Sequence, residues 1–383
     1  MKKITVIGAG TAGVLSLSHF LRWTNWEIEW YNDTSIKPQA VGEGSTLDLP
    51  QNLYFYHNFR FDDLEKIDGT YKLGIRKKYW GELGKDFIHY FPPGSGAYHF
   101  NAVKLQNYIR ERVSSNPRVR HVDGHVSTYD QIDSNYIMDC SGKPSNYDDF
   151  EMSDFIPVNS VYVTQCWWDH AEFNYTLAIA RPYGWVFGIP LQNRCSIGYM
   201  YNNNINTLDQ VKEDVQHIFE EFRLTPSDTT NAFSFKNYYR KKNFDGRVAY
   251  NGNASFFLEP LEATSIGFMD KINRRAFDVW NDYKDLEAAN VFYTQKVKEI
   301  ENVIMLHYAA GSVFDTDFWH WAQERGQRNI SSLLNNRVFK LMLASATGNM
   351  YEDMDDDGDK NYGTWARFSF QQNFQGLGLK IGL

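Results

Sequence analysis

Lys2-Lys3-Ile4-Thr5-Val6-Ile7-Gly8-Ala9-Gly10-Thr11-Ala12-Gly13 is the stretch that decides the fold. Lys2–Ile7 is a short apolar run, which predicts a strand, and it runs straight into Gly-x-Gly-x-x-Gly. Val14, Leu15, Leu17, Phe20 and Leu21 follow at helical spacing, and Trp26–Tyr31 predicts a second strand. Strand, glycine turn, helix and strand together are the opening of a dinucleotide-binding βαβ unit. Each glycine has a mechanical task. Gly8 permits the tight turn, Gly10 lets a pyrophosphate approach the backbone, and Gly13 lets helix and strand pack closely. Thr11 and Ala12 stand where the helix N-terminus presents unpaired N–H groups and a positive dipole end to phosphate. An acid for the ribose is expected about 20 residues further on. Asn32 and Asp33 stand there, and Asp33 is the acidic candidate, displaced by one residue.

Outward from this motif, three segments favour FAD over NAD. Asp139-Cys140-Ser141-Gly142 follows an apolar run at Tyr136–Met138 and resembles a later strand and turn of flavin domains. Gly252-Asn253-Ala254 follows Arg247–Tyr250 and resembles the Gly-Asp-Ala segment of flavin hydroxylases, with Asn253 in place of the acid near the ribityl chain. Val41-Gly42-Glu43-Gly44-Ser45 stands where such enzymes lay a loop against the flavin, which makes Glu43 and Gly44 cofactor candidates.

The middle of the chain changes character. Asn159–Trp168, Tyr175–Ala180, Trp185–Ile189 and Cys195–Tyr201 are short aromatic and β-branched runs, which predict an antiparallel sheet with Trp167 and Trp168 packed in it. Leu208–Phe222 predicts an amphipathic helix. Beyond Glu262 the pattern is helical, through Asp285–Glu301, Asp317–Arg325 and Ser331–Ala346, with an acidic loop expected at Met350–Lys360. The expected fold is α/β. A Rossmann-like FAD-binding domain (1–150 and 245–285) is interleaved with an antiparallel-sheet substrate region (151–244), and a helical C-terminal region (286–383) follows.

Composition narrows the function classes. A net charge of -8 with no basic stripe argues against nucleic acid as a partner. The 43% hydrophobic and 22% charged content argues against disorder, and 16% aromatic content suits a site for flat rings. Cys140, Cys166 and Cys195 have neither metal-ligand nor disulfide spacing, so no metal is expected and a reducing cytoplasm is. The N-terminal apolar run is too short for a signal peptide or a membrane span. The histidines lack paired ligand spacing, and His89 and His99 read as satisfied or exposed side chains rather than functional ones.

From residue 3 to about residue 270 the chain resembles the flavin-dependent halogenases of the tryptophan-halogenase superfamily. Four segments carry the resemblance: Gly8–Gly13, Val41–Ser45, Thr70-Tyr71-Lys72-Leu73-Gly74-Ile75 with Trp80, and Phe257-Leu258-Glu259-Pro260-Leu261-Glu262-Ala263-Thr264-Ser265-Ile266. The family's Trp-x-Trp-x-Ile-Pro appears as Trp185-Val186-Phe187-Gly188-Ile189-Pro190, with Phe187 for the second Trp. In length and in that variation the chain is similar to a compact, cyanophage-encoded branch of the family.

The resemblance implies FAD, supplied reduced by a separate flavin reductase, together with O₂ and a chloride, bromide or iodide ion. It implies that Lys72 delivers the electrophilic halogen and that Glu262 stabilises the ring cation and takes its proton, with Glu259 as a rival carboxylate. Thr264 and Ser265 would hold the halide by backbone N–H groups, and Ile266 would contact the cofactor. Trp185, Phe187, Ile189 and Pro190 would line the tunnel to a small aromatic substrate. The roles make chemical sense. Hypohalous acid is small and indiscriminate, and a buried lysine holds it by hydrogen bonding or as a haloamine, with burial favouring the neutral amine. A carboxylate beside the ring serves as base and charge stabiliser. Ser265 stands where the family has glycine, which would reshape the halide pocket. An FAD-dependent aromatic hydroxylase and a non-catalytic flavin-binding protein remain as alternatives, and a homo-oligomer is compatible with either.

Overall fold

The computed structural model describes residues 1–36, 44–334, 336–346 and 361–379. Its helices are α1 (Thr11–Trp23), α2 (Asp48–His57), α3 (Ala102–Ser114), α4 (Leu208–Asp214), α5 (Gln216–Glu221), α6 (Thr264–Trp280), α7 (Leu286–Ala310), α8 (Asp317–Leu333), α9 (Arg337–Ala346) and α10 (Arg367–Leu377). The chain forms two compact units, one of residues 1–69, 100–152 and 238–295, the other of residues 70–99, 153–237 and 296–383. Residues 70–99 therefore leave the first stretch expected for the nucleotide domain, and the C-terminal helices share a unit with the antiparallel sheet. The difference has a physical origin: Gly74–Lys78 hydrogen-bonds in parallel to Thr176–Arg181, a pairing that no local pattern announces.

The first unit is built on a six-stranded sheet. Lys3–Ile7 lies centrally, parallel to Glu27–Asn32 on one side and to Tyr136–Asp139 on the other. Val119–Asp123 and Val248–Tyr250 extend the parallel set, and Phe244–Asp245 closes one edge antiparallel. Ile4 and Val6 are fully buried, as a central parallel strand requires. α1 is buried along Ala12–Phe20 and packs against α3 and α6. Trp26, Tyr136 and Trp280 stack beside it, with the Tyr136 and Trp280 rings 4.9 Å apart.

The second unit holds a seven-stranded sheet in the order 225–234, 160–167, 194–201, 184–190, 176–181, 74–78, 87–90. The four strands expected from sequence pair as an antiparallel ribbon within it. One face buries Leu177, Ile179, Val186, Ile197 and Tyr199 against Val211, Val215, Ile218 and Phe219. Val211 comes from α4, Ile218 and Phe219 from α5, and Val215 stands between them, so the single helix expected over 208–222 is interrupted there. Arg181 clamps α4 to the sheet by a two-point ion pair to Asp214 at 2.9 and 2.6 Å. Trp168 joins this core, whereas Trp167 is 52% exposed and does not pack in the sheet as expected. Ser331 and Ser332 complete α8, and the next helix starts at Arg337 rather than at Ser331. The expected Met350–Lys360 loop lies outside the described residues, as do Val41, Gly42 and Glu43.

Two histidines join α1 to α2. His57 Nε2 lies 2.7 Å from Ser18 Oγ, and His19 Nδ1 lies 3.1 Å from Tyr56 Oη. Burial holds both rings neutral, with His57 lowered to about 4 and His19 to about 3 from the usual 6.5. The unfolded chain therefore binds more protons below pH 6.5, and the stability these rings support is full above 6.5 and lost as pH falls through about 4. We expect the urea midpoint to decline across that window, and His57→Gln, which keeps a polar partner for Ser18, to make the decline shallower. An unchanged slope in the variant would assign the acid sensitivity elsewhere.

Candidate functional site

The glycine loop sits where the central strand ends. Gly8 has φ +102, and a Cβ there would lie 2.3 Å from Cys140 O. A Cβ on Gly13 would lie 2.1 Å from Gly8 O. These two glycines are required by close backbone contact between Lys3–Ile7, α1 and the end of Tyr136–Asp139. Gly10 is different: among the described residues nothing lies within 4 Å of its Cβ position, which leaves that side open. Gly10 is also the residue before α1, which carries no side-chain cap, so the first-turn N–H groups at Thr11, Ala12 and Gly13 have none from that source. Gln106 Nε2 donates to Thr11 Oγ1 at 3.1 Å.

The later segments fold onto this loop. Gly252, at φ +60, would place a Cβ 2.6 Å from Ala12 Cβ. The turn Gly252–Ala254 is held by Tyr238, whose hydroxyl donates to Asn253 O at 2.8 Å, and by Arg240, which donates to Ala254 O at 2.9 Å. Beneath it runs a buried polar network that sequence reading missed. Asn251 Nδ2 and Ser16 Oγ both donate to Asn273 Oδ1, at 2.9 and 2.7 Å, which joins the turn to α1 and α6. Asp33 lies just beyond Glu27–Asn32, and its carboxylate accepts from the Ser35 N–H and hydroxyl, which hold it below the usual carboxylate range. Gly44 is buried, and residues 46–48 pack on α6: a Cβ on Gly267 would meet Thr46 Oγ1 at 2.7 Å and Asp48 Oδ2 at 3.0 Å. Ile266, buried, precedes that contact.

Glu262 belongs to the same unit and is 6% exposed, and Glu259 is fully buried. Glu262 (φ 73) and Ala263 (φ 54) are consecutive left-handed residues, neither of them glycine. Such backbone costs of order 1–3 kcal/mol per residue and persists only where the surroundings hold it. The helix then begins at Thr264, so Thr264, Ser265 and Ile266 supply its first-turn N–H groups. The residue with the glycine-like backbone is Ala263, and Ser265, which stands where the family has glycine, sits within the first turn.

Lys72 lies in the second unit, at the end of the short strand Thr70–Lys72, which pairs antiparallel with Ala97–His99. It is fully buried, so it is not a solvated surface lysine, and its ammonium is 5.7 Å from the Phe91 ring centroid. This strand is tied to the motif strand Gly184–Pro190. The Thr70 hydroxyl donates to Pro190 O at 2.7 Å, so His99 Nδ1, at 3.1 Å, is the donor to Thr70 Oγ1. The other ring nitrogen, Nε2, then accepts from the Thr176 hydroxyl at 2.9 Å. That pattern needs a neutral imidazole, and burial followed by the Lys72 charge pushes His99 well below its ordinary range. His99 is thus part of the Lys72 site, although its sequence context looked bland; His89 is buried against Trp365. On the motif strand, Trp185, Phe187 and Ile189 alternate onto one face, with the Phe187 ring lying over Gly198 of the next strand.

The description "Tryptophan halogenase" belongs to a family model that matches residues 3–96 and 93–378. The chain belongs to the tryptophan halogenase family. Among this family's members, tryptophan 7-halogenase RebH of Lentzea aerocolonigenes is 26% identical over 262 residues, 60% of this chain and 48% of that protein. Tryptophan 6-halogenase ThaL of Streptomyces albogriseolus is 23% identical over 249 residues, 52% of this chain and 46% of that protein. These matches span about half the length of those two curated relatives. Two solved structures share the fold at a TM-score of 0.80. Xcc4156, a flavin-dependent halogenase from Xanthomonas campestris, is 18% identical, with 98% of this chain and 89% of that one covered. BrvH, a flavin-dependent halogenase from Brevundimonas sp. BAL3, is 19% identical, with 99% and 90% covered.

The three loop glycines of this family member separate by substitution. Gly8→Ala and Gly13→Ala force backbone apart, and each is expected to cost about 2 kcal/mol or more. Gly10→Ala meets nothing and is expected to stay within about 0.5 kcal/mol of the parent. Ala263→Gly relieves left-handed backbone and is expected to stabilise by about 0.5–1 kcal/mol. Denaturant midpoints of the four variants check all of these, and a Gly10→Ala loss as large as that of Gly8→Ala would show that the loop packs differently.

Proposed function

We propose that the protein is an FADH₂-dependent halogenase that oxidises a halide with O₂ and halogenates an electron-rich aromatic ring through Lys72. The observation that carries this reading is the full burial of Lys72 on a strand fastened to the Trp185–Pro190 motif. A lysine buried only as a structural cation would not need that motif beside it, and a flavin hydroxylase would need neither.

The residues present fit a flavin dinucleotide. Gly8 and Gly13 bring α1 against the strand, Gly10 leaves an open side for a pyrophosphate, and Thr11 and Ala12 supply first-turn N–H groups. Gly252, next to Asn253, lies against that loop through Ala12, and Asp33, just past the second strand, is the candidate for the ribose. Gly44 and Ile266 complete the set of cofactor residues. When bound and reduced, FAD supplies the two electrons that activate O₂ for halide oxidation. Thr264 and Ser265 offer first-turn N–H groups to the halide. Lys72 holds the hypohalous acid by hydrogen bonding or as a haloamine. Glu262 lowers the energy of the ring cation and removes its proton. Trp185, Phe187, Ile189 and Pro190 line the approach of the ring, and Phe187 keeps that wall apolar. The reduced flavin comes from a separate reductase, and the Phe187 variation supports kinship with the cyanophage-encoded branch, expressed in a host cytoplasm.

Lys72→Ala is expected to abolish ring halogenation while oxidation of added FADH₂ continues, with hypohalous acid released and trapped by an external scavenger. Glu262→Gln is expected to slow halogenation by roughly 10²–10⁴. Normal regioselective product from Lys72→Ala would overturn the role. NADH or NADPH consumption by the protein alone, coupled to hydroxylation, would support a hydroxylase.

Bromide and iodide give up electrons more readily than chloride, so one or both are expected to be accepted at least as well in competition assays. A site that selects a free amino acid must match both its charges with placed partners. The proposed tunnel residues, Trp185, Phe187, Ile189 and Pro190, carry no charged group. Phenols, anilines and indoles without the amino-acid tail are therefore expected to react at least as well as free tryptophan, measured as product yield across such a panel. A clear preference for tryptophan with one product would contradict this.

A further inference from the structure

The basic run after Lys72 contains a second fully buried lysine. Arg76 and Lys78 turn to one side of their strand, where Arg76 pairs with Asp86 at 2.8 and 2.6 Å and Lys78 pairs with Glu221. Lys77 turns the other way and is 0% exposed. It is the register partner of Ala178, which in turn partners Phe187. Lys77, Ala178 and Phe187 therefore lie side by side on the face that also carries Trp185, opposite the face covered by α4 and α5.

Two C-terminal helices converge on this ammonium. His307 Nε2 of α7 lies 2.7 Å from Lys77 Nζ, and Asn373 Oδ1 of α10 accepts from it as well. The contact fixes the His307 tautomer. Nε2 accepts from the ammonium, so Nδ1 carries the proton and donates to Val303 O at 3.0 Å. The close approach of α10 has its own cause: a Cβ on Gly376 would lie 2.2 Å from the Phe87 ring, so only glycine lets the helix lie flat there. From His307 the contacts continue through rings. The Trp80 centroid is 5.5 Å from His307 and 6.4 Å from Trp185, and Trp185 is 6.2 Å from Phe187. The Trp80 indole N–H donates to Ala178 O at 2.8 Å, which ties one edge of the ring to the sheet.

We propose that Lys77 is a positioning residue: by fixing His307 it sets the orientation of Trp80, and Trp80 sets that of Trp185, the first aromatic of the substrate tunnel. Burial of a charge among rings is costly and usually adds little net stability over an apolar residue of the same size. What it adds here is one defined arrangement of α7 against the motif face. The proposal rests on the reading of Trp185–Pro190 as the substrate wall, and the test separates the two.

Lys77→Met keeps the stem and removes the charge. It is expected to raise KM for the aromatic substrate roughly 10-fold and to broaden the product distribution, with FADH₂ oxidation unchanged. The double variant Lys77→Met/His307→Leu replaces the polar pair with apolar bulk and is expected to recover Tm. A purely structural lysine predicts that the double variant also recovers KM and product distribution; a positioning lysine predicts that it does not. Near-UV circular dichroism gives a readout without activity. Lys77→Met is expected to change the aromatic bands in the parent, and to change them much less in a Trp185→Phe background. Equal changes in both backgrounds, or wild-type KM and products in folded Lys77→Met, would overturn the proposal. If the parent halogenates no ring at all, the functional reading falls, and the dichroism comparison still decides whether Lys77 holds Trp185.

Discussion

The first unit depends on one crowded point, where three pieces of backbone meet without side chains between them. Gly13 lies over Gly8 O, and Gly8 lies over Cys140 O. Helix α1, the central strand and the end of Tyr136–Asp139 can be this close only because no Cβ intervenes. The consequences spread outward. Ser16 on α1 reaches Asn273 and Asn251, Asn251 starts the Gly252–Ala254 turn, and Gly252 returns to Ala12. The glycine loop and the late turn, about 240 residues apart in the chain, are thus parts of one packed surface.

In the second unit the ordering principle is a sheet whose two faces do different work. One face buries aliphatic side chains against α4 and α5 and is anchored by Arg181 and Asp214. The other carries the motif aromatics and a buried cation. Lys72 and Lys77 sit five residues apart, and both are fully buried, yet their surroundings differ. Lys72 lies near Phe91 and the neutral His99, whereas Lys77 is gripped by His307 and Asn373.

The strain at Glu262 and Ala263 shapes the entry into α6. Two left-handed residues in succession turn the chain sharply out of the Pro260 bend and start α6 at Thr264. The turn sets where the Glu262 side chain leaves the backbone and aims the first N–H groups of α6. Glycine at 263 would relieve some of this strain but would also loosen the direction, which is a reason for alanine to stand there.

The sequence by itself determined the parts whose signal is local. Gly8, Gly10 and Gly13 declare the βαβ opening because each glycine answers a short-range steric need, and the four aromatic and β-branched runs declare the ribbon because strand periodicity is written in consecutive residues. The segments around Lys72 and Glu262 were singled out by their resemblance to family motifs, and the burial of both side chains came only with the fold. What the tertiary structure alone decided depends on residues far apart in the chain. The pairing of Gly74–Lys78 with Thr176–Arg181 moved residues 70–99 into the second unit. The polar partners Asn251, Asn273 and Ser16 look unremarkable singly, and so do His99 and Lys77. Their roles follow from burial, and burial of a polar side chain is set by what folds over it, which no window of neighbouring residues contains.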